Sequence, residues 1–181
     1  MMSDMAPTPP NTPPPAAPSP AGPSFNINAW NIFDKIALGA GALFFIFSLF
    51  GGFIHVSVSF AGFGSGSGTT GTAWHSWGAV AVLLVLASVI LVGLKAMEGL
   101  LPSTIPAPLI AAGAAGLGWI LLVLRAVTGG GYPSGTGISI SPGWSAYVLF
   151  VIGLAVVAAT VIPLTSAAGD VEAKLNSKLS R

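Results

Sequence analysis

Between Ile36 and Leu164 the sequence carries three charged side chains, Lys95, Glu98 and Arg125. That scarcity limits what the chain can become more than any motif does. Soluble domains carry about 25% charged residues, whereas this chain has 6%, against 53% hydrophobic. So little charge cannot coat a water-facing surface, and the sequence predicts a chain that spends most of its length in lipid. The formal net charge of +1 supplies no basic patch to neutralise phosphates, so nucleic acid is excluded as a partner. Cysteine is absent, which removes disulfides, thiolate metal sites and cysteine nucleophiles.

Four apolar runs occupy residues 36–54, 78–94, 108–127 and 147–164. Each reaches or nearly reaches the roughly 17–25 residues that cross a hydrocarbon layer. No backbone polar group can stay unpaired there, so each run is expected to be helical. The expected fold class is an all-α membrane protein, a four-transmembrane-helix bundle spanning residues 29–168. Ahead of it, residues 1–28 form a proline-rich segment, with nine of the fifteen prolines before Phe25. That composition predicts a disordered cytoplasmic tail acting as a spacer. The first run exceeds the 7–15 residues of a signal-peptide core and is expected to be retained. Behind the bundle, residues 169–181 predict a short amphipathic helix. Val171, Leu175 and Leu179 recur every four residues, and Asp170 is spaced to pair with Lys174. Its stripe of Lys174, Lys178 and Arg181 suits an anionic inner leaflet.

Lysine and arginine placement orients the chain. With both termini cytoplasmic, Lys35, Lys95, Lys174, Lys178 and Arg181 lie inside and Arg125 alone lies near the outer face. The inner loop then holds Lys95 and Glu98, a local ion pair of small worth. The outer loops hold no charge at all. In Ile54–Phe60, IHVSVSF, and Gly137–Ser141, GISIS, apolar and polar residues alternate. Three readings stay open for this pair: a small two-stranded β cap on the extracytoplasmic side, coil for both, or a first stretch that merely extends the helix. The intervening runs GFGSGSGTTGT and TGGGYPSGTG predict flexible, wet loops.

Candidate sites follow from this layout. Trp30, Trp74, Trp77, Trp144 and Tyr147, with Tyr132, are placed to anchor the chain at the membrane interfaces. His55 and His75 are weak metal candidates at one depth. They lack a third ligand or a carboxylate to support them, so no metal and no cofactor is expected. Arg125 lies near the outer end of the third run, within reach of lipid headgroups. Its expected partner is a lipid phosphate, a loop carbonyl or an acid on another protein. Lys174, Lys178 and Arg181 are the other expected headgroup or partner contacts. Inside the spans the polar side chains are Ser48, Ser88, Thr160 and the indole of Trp119. That inventory supplies neither the ionisable groups of a pump nor a nucleophile–base set, so no catalysis is expected. Small residues spaced by four, Ala112 and Gly116, Ala114 and Gly118, Ala155 and Ala159, are expected to pack helices closely.

The segments GAGALFFIFSLF, the outer AWHSW, LRAVTGGG and GWSAYVLFVIGLAVVAAT, behind a proline-rich N-terminus, form a recognisable set. The chain resembles the uncharacterised small four-helix membrane proteins of actinobacteria over residues 30 to 165. The resemblance implies a bacterial plasma membrane and no assigned activity. Taken together, these readings predict a multi-pass plasma-membrane protein without catalysis. It would act as an accessory or scaffold subunit in a membrane or cell-envelope complex, contacting the bilayer and other subunits or itself. The alternative is an oligomeric small-molecule or lipid channel or transporter.

Overall fold

A computed structural model describes residues 26–60, 64–95, 97, 100–102, 104–129, 135, 137–165 and 168–179. These residues are mostly helical, with five α-helices and one small sheet among them. Helix α1, Ile32–Ser48, opens on a capping box. The side chain of Asn31 accepts from the Asp34 backbone N–H at 2.8 Å, and Asp34 returns the bond to the Asn31 N–H at 2.9 Å. Helices α2, Gly78–Leu94, α3, Ala107–Val127, and α4, Trp144–Val161, follow. Pro163 tightens the end of α4 into a 3₁₀ turn, Ile162–Leu164, because it removes a helical donor. Helix α5, Ala168–Leu179, is the expected short terminal helix, with Lys174 and Lys178 exposed.

The predicted run of four spans is corrected in its lengths. Two stretches, Ala107–Val127 and Trp144–Leu164, each of 21 residues, are long and apolar enough to cross a membrane. Helices α1 and α2 have 17 residues each, about 26 Å at 1.5 Å per residue, short of a hydrocarbon core of about 30 Å. The first run was expected to stay helical to Ile54 but leaves the helix after Ser48. Gly52 adopts φ +86°, a left-handed conformation that glycine tolerates, and hands Ile54 to a strand.

Helices α1 to α4 form a ring. Helix α1 packs on α2 and α4, and α3 packs on the same two. Phe44, Val82, Val85, Leu122, Leu149 and Val156 fill the centre with no exposed surface. The outward faces are apolar too, with Phe45, Leu83, Leu117 and Val151 all exposed. Close approach relies on glycine at particular points. A Cβ on Gly118 would sit 2.8 Å from the Ala81 carbonyl oxygen, and one on Gly153 would sit 2.7 Å from the Trp119 ring. A Cβ added to Gly116 would meet nothing within 4 Å, so no described neighbour requires a glycine there. Ala112 and Ala159 are buried, while Ala114 and Ala155 are half-buried.

One end of the ring carries the sheet. Strands β1, Ile54–Phe60, β2, Gly64–Thr70, and β3, Ile138–Pro142, pair antiparallel in the order β2-β1-β3. The cap is therefore real and has three strands where the sequence pointed to two at most. The additional strand is GSGSGTT, expected as a loop. Glycines give no side-chain signal for a strand, and what holds β2 is the hydrogen-bonding edge of β1, in register from Ile54↔Thr70 to Phe60↔Gly64.

Candidate interaction surfaces at the two ends

Alternation along β1 splits the sheet into two faces. Val56 and Ile140 pack down on the helical core. The opposite face holds hydroxyls and one imidazole in register. His55 stands between Thr69 and Ser141, Ser57 between Ser67 and Ser139, and Ser59 opposite Ser65. Every residue of β2 is exposed, and among the described residues no strand pairs with its outer edge. That edge carries none of the charge or proline that usually blunts an open strand. The result is a flat, uncharged, hydrogen-bonding platform with one open edge.

Beneath the platform lies Arg125. Its position on the last turn of α3 suggested a side chain reaching out to headgroups, but the residue has 0% exposure. The guanidinium carbon sits 5.4 Å from the centroid of Phe53, within cation–π range, and Nε and Nη2 are enclosed. Gly78 makes the room, since a Cβ there would collide with the Arg125 side chain and the Ala73 carbonyl. The C-terminal end of α3 also favours a cation. Arg125 is thus part of the floor under the sheet, and contact with lipid headgroups is corrected to contact with Phe53.

The aromatic anchors divide in the same way. Trp77 and Trp144 are exposed at 38% and 48%, and Tyr147 at 57%, as interface anchors would be. Trp74 instead donates from Nε1 to the Ser48 hydroxyl at 2.9 Å and braces the end of α1. Trp30 is half-buried before α1. Gly143 N–H donates to the Phe53 carbonyl at 2.8 Å and Phe53 N–H to the Gly71 carbonyl at 3.1 Å, so the two sheet-end connections are stitched through Phe53. Ser145 Oγ is enclosed and makes no hydrogen bond to any described residue.

His55 and His75 bring no metal site together. Among the described residues no group of three histidine or acidic side chains could hold an ion. His55 Nε2 lies 3.3 Å from Ser57 Oγ, a loose contact two residues apart on one strand. A serine–histidine pair needs a third group to orient the imidazole, and the sequence has no acid between Lys35 and Met97. The polar groups within the ring are spent locally. Ser48 donates to the Phe45 carbonyl, Ser88 to that of Val85 and Thr160 to those of Val156 and Val157. Trp119 donates across to the Phe150 carbonyl at 2.9 Å.

The end opposite the sheet is charged. Lys95, at the close of α2, pairs with Asp34 on the first turn of α1 at 2.8 Å. The sequence pointed to Glu98 as the partner of Lys95; Glu98 lies outside the described residues. So do Arg181, Tyr132 and the first 25 residues of the proline-rich segment. A cavity of about 310 Å³ opens beside the Asp34–Lys95 pair. Comparison with protein-family models, curated proteins and solved structures gave no match for this chain.

Proposed function

We propose that the chain is a four-pass plasma-membrane protein with both termini in the cytoplasm. It acts without catalysis, as an accessory subunit that docks partner proteins on its extracytoplasmic sheet. The observation that carries this is the platform: an uncharged hydroxyl face bounded by β2, whose seven residues are all exposed and whose outer edge is open. An open edge accepts an extended segment by strand addition, with main-chain hydrogen bonds supplying the affinity. Membrane placement is supported by the two long apolar helices, only 28% of whose most apolar stretch is buried; a soluble core helix would be mostly buried. Helices α1 and α2 complete the crossing if Leu49, Phe50 and the flanking turns sit in the interface. The closed centre of the ring favours this reading over a channel within one chain.

The absence of cysteine makes placement easy to test. Ser67→Cys should react with an impermeant maleimide from outside intact cells, and Ser177→Cys only after permeabilisation. The docking reading predicts that the chain, extracted gently from its own membrane, carries a stoichiometric foreign subunit. Ser67→Lys should release that subunit while leaving the melting temperature unchanged. A pure homo-oligomer in the same preparation would overturn it and favour the oligomeric channel.

A further inference from the structure

The cavity at the charged end has no part in docking at the sheet. Its volume of about 310 Å³ falls at the low end of small-ligand sites. All four ring helices or their ends contribute to it, with Leu91, Pro108, Ala111 and Leu164 among its apolar walls. The mouth is polar and carries both signs of charge. Asp34 is held nearly immobile there: Oδ2 accepts from the Asn31 N–H at 2.9 Å and from Lys95 Nζ at 2.8 Å, and its side chain is 10% exposed. Its second oxygen, Oδ1, accepts from no described residue. The Asn31 side-chain oxygen is used by the Asp34 N–H, and its amide Nδ2 donates to no described residue. Lys95 is 46% exposed, so its ammonium keeps donors to offer.

An open acceptor on Asp34 and open donors on Asn31 and Lys95 therefore flank one apolar hollow. A purely anionic ligand would meet Asp34, and a purely cationic one would meet Lys95. A zwitterion with an apolar body satisfies both. The ammonium must also carry N–H groups, because Asp34 Oδ1 needs a donor. Given membrane placement, on which this rests, the mouth lies at the level of the inner-leaflet headgroups. The geometry points to a headgroup site for an ethanolamine-type phospholipid. Its ammonium bonds Asp34 Oδ1, its phosphate bonds Lys95 Nζ and Asn31 Nδ2, and its first methylenes lie on Leu91, Pro108 and Leu164. A choline headgroup carries no N–H, and a glycerol headgroup brings no cation.

The test is native mass spectrometry of the full chain in mild detergent, with chain-matched dioleoyl phosphatidylethanolamine, phosphatidylcholine and phosphatidylglycerol. The expected result is about tenfold stronger retention of the ethanolamine lipid than of either other, the size of one charge-assisted hydrogen bond. Asp34→Asn should abolish that preference. Lys95→Gln, on a half-exposed side chain, should weaken ethanolamine-lipid retention about tenfold. Equal retention of the three lipids, or an unchanged preference in both variants, would overturn the site. Displacement by glycerophosphoethanolamine at concentrations matched to the lipid would overturn the phospholipid and assign the hollow to a soluble zwitterion. A carbonate wash of native membranes, run first, separates the two failures: a chain released by it defeats membrane placement, whereas a retained chain without lipid preference defeats only this site.

Discussion

At the sheet end, beside the Trp74–Ser48 side-chain bond, the connections are stitched by main chain: Phe53 bonds Gly71 and Gly143 through its backbone, and glycines press against carbonyls. At the opposite end a side chain does the joining, the Asp34 carboxylate accepting from Lys95 Nζ and from the Asn31 backbone N–H. The first construction buries its one cation; the second keeps its ions near water and leaves a hollow beside them. The contrast separates a part closed by backbone bonds and close glycine contacts, which the proposed docking at the sheet would use, from a part with polar valences to spare.

If that division is right, substitutions at the sheet end should cost far more than substitutions at the other. Arg125→Ala empties the floor under the sheet and should lower stability by about 3–4 kcal/mol, read as a fall in melting temperature in detergent. Gly143→Ala drives a Cβ into the Gly52 carbonyl. Neither backbone can yield cheaply, and a loss of about 2–3 kcal/mol is expected from the same assay. Asp34→Ala removes one half of a capping box and an ion-pair partner, for about 1 kcal/mol; a loss as large as that of Arg125→Ala would erase the distinction. Ser145→Ala should raise stability by about 0.5 kcal/mol, because it removes an enclosed hydroxyl without a bond to any described residue. A destabilised Ser145→Ala would show that the hydroxyl is satisfied, by an ordered water for example. Lys95→Gln should change melting by less than about 0.5 kcal/mol, since the pair is half exposed and screened.

How far these ends could be read beforehand follows from the range of the interactions that make them. The alternation of Ile54, Val56 and Val58 with His55 and Ser57 is local, and β1 was visible in it. Helices α3 and α4 were visible as unbroken apolar runs. β2 was not, because Gly64, Gly66 and Gly68 acquire a conformation only from the partner strand. Lys95 finds Asp34 from 61 residues away, whereas sequence spacing could weigh only the neighbour Glu98. Arg125 looked like a surface anchor because nothing near it in sequence announces Gly78 or Phe53 as its surroundings. The hollow at the charged end likewise exists only once four helix ends converge.

The position of β1 at the centre of the sheet has a bearing on biogenesis. β2 begins four residues after β1 ends and can pair with it soon after both leave the ribosome. β3 comes only after α3 in the chain, so through that interval β1 keeps one side vacant. Residues 138–142 close it as the last hairpin arrives. Completion of the sheet thus reports that the later helices have reached their places. On the four-pass arrangement proposed above, a chain stalled before α4 would display a bare β1 to the chaperones and proteases outside the membrane.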